Sequence, residues 1–486
     1  MVATFVLIYM LLMIPIGIYA SSRVRSSQDF ALAGRHLPFS MALATVFATW
    51  FGSETFLGAG SRMAEGGFLS VIEDPFGAGL CLILIGLFFA KKLYARQNLT
   101  IGDYFHERYN KVVATMLSVA IILTYFGWVA AQFVALGIIL NMLLGIPAIT
   151  GMLTAAIIVV IYTYIGGMWA VSITDTVQMG VIVLGLIVIL VEVLLQNGGL
   201  SAIISNTPSE YFRITPADAT TKDWLAWVAA WMTIGLGSIP QQDVYQRVMS
   251  AKSATIAKWA SVSAGVMYFT IALIPLTLGL VARIKYPELV ASDPQQLLPT
   301  LIMDNTSMIT QIFFFGALLS AIMSTASGAL LAPATLLGEN VIKPFFNNIS
   351  DKTRLKIIRS SIILVALGAL ALASRQGSIY ELVSGAYSIT LVSAFVPLVF
   401  GLYWHKSNNL GALLAIIFGA LGWQFTELYV VDPLIPSTLV GLGLSFIGML
   451  IGIFSEEHIH KIIPSPIKSF VYPAQNIERN EERNLK

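Results

Sequence analysis

The chain has 486 residues and a single cysteine, Cys81, which excludes an internal disulfide and any cysteine-based metal cluster. Charge is scarce: Asp, Glu, Lys and Arg make up 11% of the residues, about half the share of a soluble domain. The formal net charge is only +2, so the basic balance of a nucleic-acid-binding protein is missing and no nucleic-acid partner is expected. Histidine is equally thin, at positions 36, 106, 405, 458 and 460 and mostly in polar connections. His458-x-His460 reads as part of a solvated tail. No paired-carboxylate or His-rich constellation at acid–base or metal spacing lies within the apolar segments, which argues against an enzyme.

Apolar residues are what the chain has in excess, 57% of it, with a mean hydropathy of +0.80. Runs long enough to cross a bilayer, about 20 residues each, recur from residue 3 to residue 455. The first run lacks the basic n-region of a cleaved signal peptide, since Arg23 is the first Lys or Arg and follows it. It reads as a first membrane helix. Polar and Gly/Pro punctuation divides the chain into about 13 predicted spans: 3–20, 38–61, 68–90, 112–140, 147–165, 169–195, 224–240, 257–282, 308–336, 357–373, 378–403, 410–430 and 434–454. The predicted class is an all-α polytopic membrane protein, one transmembrane domain over 1–455 with a short cytoplasmic tail over 456–486.

Orientation comes from the basic residues. With the N-terminus outside, inner connections carry 22 of the Lys and Arg and outer connections carry 6, Arg247 being counted in an inner connection. That bias places the N-terminus outside and the C-terminus in the cytoplasm.

Polar groups inside spans are expensive and mark candidate sites. "ATWFGSETFLGAG" (48–60) sets Ser53, Glu54 and Thr55 beside Gly52, Gly58 and Gly60 at mid-depth. This pattern predicts an unwound helix whose carbonyls become free ligands. "TIGLGSIPQQDVYQR" (233–247) carries Gly235, Gly237 and Pro240 before Gln241, Gln242 and Asp243; it fits either a second broken helix or a helix ending in a polar inner loop. In "YTYIGGMWAVSITDTVQ" (162–178), Gly166-Gly167 reads as a turn, with Asp175 about two turns into the next helix. That acid suits a cation ligand or an interfacial partner for Thr174 or Gln178. "LSAIMSTASG" (319–328) holds Ser320, Ser324, Thr325 and Ser327. Such hydroxyls either coordinate a hard monovalent cation or serve close helix packing. Two interrupted segments open two sets of five spans, 38–195 and 224–403, the organisation of inverted-repeat secondary transporters.

Several of these stretches, in order, resemble the sodium/solute symporter family, which includes proline, sodium/glucose, sialic acid and choline transporters. The carrying residues are "DFALAGRHLPFSMALAT" (29–45), "GSETFLGAG", "YIGGMWAVSITDTVQ", "IPQQDVYQRVMSA" (239–251) and "SAIMSTASGALLAPATLLGENVIK" (320–343). The resemblance implies a leucine-transporter-type 5+5 inverted repeat with one extra helix before it and two after. It also implies a sodium site of backbone oxygens at Gly52, Thr55 and Ala321 and the hydroxyls of Ser324 and Thr325, with Glu54 beside it. A second sodium site in some members matches Asp175 and Ser327, but Gly328 stands where a further hydroxyl is expected.

"TWFG", "GLFFAKK" (86–92) and "GLGSIPQQDVYQRVMSA" are most similar to the choline transporter branch. There Trp50 and Trp128 match aromatic positions suited to a quaternary ammonium, and Gln241 replaces a tryptophan. Trp50, Ser53, Glu54, Trp128, Gln132, Gln241 and Tyr387 are the candidate substrate-lining residues. The function implied is sodium-coupled symport of a small organic solute across the cell membrane, Na+ being the coupling ion and no organic cofactor being needed. The alternatives are a choline or quaternary-amine transporter specifically, or a channel or solute receptor on the same fold. A monomer in the lipid bilayer suffices for such transport.

Overall fold

The structure, a computed structural model, describes residues 1–459 except 218, 347–348 and 375–378. The predicted tail from 460 onward, with His460 and five basic residues, lies outside the described residues, as does Arg375. Among the described residues there is no strand, only helix and one isolated β-bridge between Leu37 and Ala251. Ten helices among the described residues are long and apolar enough to cross a membrane.

The difference from the predicted spans has three local causes. The stretches 38–61 and 68–90 run close together, so that an apolar helical segment extends over Glu54–Tyr94. The stretches 147–165 and 169–195 join in Ala148–Gln196, bent at Gly167. The stretch 224–240 falls on Thr221–Gly237, which is too short to count by itself. The last helix reaches Ile459, past the predicted end at 454.

In chain order the elements are α1 (Val2–Ser21), α2 (Phe39–Trp50), α3 (Ala59–Gly66), α4 (72–94), α5 (Lys111–Leu144), α6 and α7 (148–166 and 168–196), α8 (Thr221–Gly237), α9 (Gln242–Ser250), α10 (254–285), α11 (Met308–Leu336), α12 (Asp351–Ala373), α13 (379–403), α14 (Asn409–Tyr429) and α15 (Ser437–Ile459). Side-chain caps mark where many of them start, as expected where backbone N–H groups emerge toward water. Asn110 caps α5, Ser253 caps α10, Ser307 caps α11, Ser350 caps α12 and Asn408 caps α14. Thr220 and Asp223 form a capping box on α8.

The centre of the molecule is α11. Its most apolar stretch is wholly buried inside the protein, whereas that of α1 is 28% buried. Around α11 pack α6 and α7, α5, α12 and α2, with α1 lying across α7 and α11. The α14–α15 hairpin packs chiefly on itself and on residues 391–395 of α13. So the hydroxyl-bearing stretch of α11 meets protein on every side.

Contacts at the ends of the spans sort into two groups, one at each end of the bundle. Ser27 binds Asp351, Arg35 donates to the carbonyls of Gln97 and Asn98, and Arg108 donates to those of Trp404 and Ser407. All of these lie in predicted inner connections. On the other face Tyr211 donates to Glu65 O, Arg283 covers the Tyr211 ring, Ser307 binds Glu192 and Lys222 pairs with Asp432. One assignment changes: Arg247, expected in an inner connection, is 2% exposed inside α9 and takes no part in the charge bias of the surface. A nine-residue polar segment reads as loop in sequence, yet α9 is buried throughout.

Gly167 sets the bend between α6 and α7. Its φ of +52° and ψ of −142° lie where side-chain-bearing residues are strained, and an added Cβ would sit 2.5 Å from Phe30 O. Gly167→Ala is expected to lower stability by about 1–3 kcal/mol. Gly180→Ala, on the open face of α7 with nothing within 4 Å of the new carbon, should leave it unchanged. Thermal unfolding of the two variants in detergent checks the pair.

Candidate ion and solute site

The first half-helix, α2, stops at Trp50. Phe51 leaves helical geometry (φ −83°, ψ 72°), and helical bonding resumes through a wide turn over Glu54–Gly58 into α3. The predicted unwinding at 48–60 is therefore present, at Phe51 and Gly52, and leaves the Ser53 N–H as the first of the resumed helix. Breaking a helix here exposes backbone groups that no lipid can satisfy. Gln132 meets one of them: its Oε1 accepts the Ser53 N–H at 3.0 Å. The Tyr268 hydroxyl, from α10, meets another, the Trp50 carbonyl, at 2.8 Å. The Gly52 carbonyl accepts the Phe56 N–H at 3.1 Å, which leaves its second lone pair free.

Glu54 is 4% exposed and carries no counter-ion within ion-pair distance among the described residues. Two neutral donors hold it: Trp128 Nε1 at 2.8 Å from Oε1 and Gln132 Nε2 at 2.8 Å from Oε2. Trp128 and Gln132 are one helical turn apart on α5, so one face of that helix clasps the break. Thr55 bonds Tyr268, and Tyr268 also lies 2.9 Å from Asp74 Oδ1.

The four hydroxyls of residues 319–328 on α11 divide into two pairs. Ser320 and Ser327 give their protons back to their own helix, at Gly316 O (2.7 Å) and Ser324 O (2.9 Å). Ser320 is also bonded by the Tyr9 hydroxyl of α1, while Ser324 and Thr325 reach toward α7 and the broken helix. Ser324 donates to Asp175 Oδ1 on α7 at 2.6 Å, and Thr325 Oγ1 points toward Ala48 O at 3.4 Å. Thr325 also meets Gly52, where an added Cβ would fall 2.6 Å from Thr325 Oγ1 and 2.6 Å from Glu54 Oε2. Gly52 is thus required by close approach: any side chain there would force the broken helix and α11 apart. Thr45 completes the shell of Asp175 by bonding its other oxygen.

Toward α8–α9, Trp50 Nε1 donates to Asp243 Oδ2 at 2.8 Å, and the Tyr125 hydroxyl donates to Asp243 Oδ1. The rings of Trp50, Trp128 and Tyr387 gather, with Tyr387 centred 6.5 Å from Trp50 and 6.0 Å from Trp128. Gln241, one turn of chain away in the gap between α8 and α9, spends its amide on Thr124 and Thr390. The second interruption is real: α8 ends at Gly237 and α9 begins at Gln242.

Of the predicted site residues, Gly52, Glu54 and Thr325 meet, Ser324 meets Asp175, and Glu54 meets Trp128 and Gln132. Ser327 faces its own helix, and Thr55 faces Tyr268 through its side chain. Ala321 is fully buried on α11. Sequence reading missed Tyr268, Asp74, Asp243 and Arg247. Tyr268 sits in an otherwise ordinary apolar helix and gives no local signal. Asp243 and Arg247 stand four apart, which on a helix puts them on one face; that spacing was the available clue.

A cation could be held where carbonyls of the broken helix face the paired hydroxyls of α11. The sequence model of the Sodium:solute symporter family matches residues 30–419. The high-affinity choline transporter 1 of Torpedo marmorata is 27% identical over 436 residues, 86% of this chain and 75% of that protein. The sodium/pantothenate symporter of Haemophilus influenzae is 27% identical over 454 residues, 89% of this chain and 91% of the other. Among solved structures, the substrate-bound outward-open state of a Na+-coupled sialic acid symporter superposes with a TM-score of 0.80. It is 18% identical and covers 94% of this chain and 98% of its own, a likeness of fold alone.

Glu54→Gln should destabilise the clasp. One carboxylate oxygen becomes an amide that faces a donor, either Trp128 Nε1 or Gln132 Nε2, and a loss of about 1–3 kcal/mol is expected. Thermal unfolding read through tryptophan fluorescence is the measurement, and an unchanged midpoint would contradict the clasp.

Proposed function

The chain belongs to the sodium:solute symporter family, whose members are membrane transporters and not enzymes; on that premise we propose that it imports a small organic solute together with Na+ by alternating access. The observation that carries this reading is the approach of Gly52, at the break of α2, to Thr325 on α11. A sodium ion bound by the Gly52, Thr55 and Ala321 carbonyls and the Ser324 and Thr325 hydroxyls would join the broken helix to the central one. A hydroxyl donates through hydrogen and coordinates through oxygen, so Ser324 can keep its bond to Asp175 while binding the ion. An ion that touches both elements favours the arrangement in which they are close, the outward-open one. Solute and sodium then raise each other's affinity by the same factor.

The architecture that goes with this reading is thirteen crossings, an inverted 5+5 repeat over 38–195 and 224–403, one helix before it and two after. The N-terminus is outside and the C-terminus cytoplasmic, in the cell membrane. The ring cluster of Trp50, Trp128 and Tyr387, with Glu54 and Asp243 bound to the two indoles, favours a second, finer reading: a solute with a quaternary or other ammonium group. Gln241 lends hydrogen-bonding capacity in place of another ring.

Uptake of labelled choline, betaines, amino acids, pantothenate and sugars into proteoliposomes tests both readings. An inward sodium gradient is expected to accelerate the initial rate of one of them, and uptake should saturate. Equal rates with and without the gradient would rule out sodium coupling. Ser324→Ala with Thr325→Ala should raise the half-saturating sodium concentration by about tenfold or more, equivalent to about 1.4 kcal/mol.

A further inference from the structure

We propose that the Arg247 guanidinium is a tethered cation in the place of a second sodium ion, so that this carrier binds one Na+ per chain. The inference rests on the sodium site of the proposed function and concerns the neighbouring acid, Asp175.

Asp175 is fully buried on α7, and a carboxylate at that depth must be compensated. Its oxygens are already engaged by Ser324, at 2.6 Å, and by Thr45. Thr49 stands beside the same carboxylate. The Thr49 hydroxyl accepts a hydrogen bond from Arg247 Nη2 at 2.8 Å, which leaves its own proton for Asp175. The positive charge of Arg247 therefore stands one hydroxyl away from the acid.

Gly328 explains how the guanidinium gets there. A Cβ at this position would lie 2.4 Å from Arg247 Nη2 and 2.9 Å from Thr49 Cγ2. The volume that a serine or threonine at 328 would fill is taken by the arginine. Thus the residue expected to supply a further sodium ligand is missing because a cation from α9 has entered the space. Ser327 donates its proton to Ser324 O at 2.9 Å, within its own helix.

Arg247 behaves as a charge placed for this acid. It is 2% exposed and forms no ion pair with a carboxylate among the described residues. Its Nη1 donates to the Asp243 carbonyl at 3.2 Å, and Nε has no partner. A mobile sodium ion at Asp175 would face this fixed guanidinium across a single hydroxyl, that of Thr49.

Binding of radiolabelled Na+ to the purified full-length protein, with no solute present, tests the inference. The expected result is one Na+ per chain, a Hill coefficient of one, and loss of that ion in the Thr325→Ala variant. Two ions per chain would overturn the surrogate. No bound ion would instead remove the sodium site beneath it, so the two failures are distinct. In the double variant Arg247→Gln with Gly328→Ser, checked for a single symmetric peak in size exclusion, the count should rise to two. A well-folded double variant that still binds one ion overturns the claim. Should the double variant misfold, the wild-type count decides alone.

Discussion

A helix interrupted inside a membrane leaves peptide groups that water cannot reach, each expensive unless a neighbour supplies the missing bond. The core of this protein is arranged around that constraint at Phe51 and Gly52. Gln132 takes the Ser53 N–H, and Tyr268 meets the Trp50 carbonyl. Glu54, brought inward by the same break, is held by Trp128 and Gln132. Two helices far apart in sequence, α5 and α10, are thereby fixed to the break, and α11 closes against it because Gly52 has no side chain. Remove the interruption and these partners lose their reason to be polar.

The buried charges show a second pattern. Glu54, Asp74, Asp175 and Asp243 are all buried near the breaks, with Arg247 the buried cation among them. Three of these acids are met by neutral donors, indole and amide for Glu54, indole and phenol for Asp243 and hydroxyls for Asp175, while Asp74 shares the single Tyr268 proton with the Trp50 carbonyl. Ion pairs would have locked these carboxylates, since separating a buried pair is strongly unfavourable. Neutral donors keep the acids in place while leaving the interior short of positive charge. An interior of that kind attracts a cation that can come and go, which is what coupling transport to an ion gradient requires.

Much of the fold is legible in the sequence because bilayer length and hydropathy leave few choices. The interruption at "WFGSE" and the Gly166-Gly167 bend follow from residue types alone. The positions of Gly52, Ser324 and Thr325 needed the family resemblance, since hydroxyls in a small-residue helix serve packing equally well. Here the distinction is geometric: Ser327 bonds within α11 and Ser320 bonds Gly316 and Tyr9 of α1, whereas Ser324 bonds Asp175 and Thr325 abuts Gly52. Segment 242–250 was not legible. Its Gln, Asp and Arg read as a solvated connection, and only tertiary packing buries them. The same limit hid Tyr268, whose role depends on a backbone carbonyl about two hundred residues away.

The two interruptions also say why a single ion could drive a large rearrangement. Moving a two-state equilibrium from about 1:99 to 99:1 takes roughly 5.5 kcal/mol of differential binding. An ion held within one rigid helix contacts the same ligands in both states and supplies none of it. Ligands split between the break of α2 and the hydroxyls of α11 are different, because they converge only when the two elements approach. The side-chain-free surface at Gly52 lets that approach be close, and the neutral clasp on Glu54 stays with α5 and the break. On the proposed site the ion's differential binding energy would distinguish the two states, whereas the buried guanidinium of Arg247 stays with the protein in both.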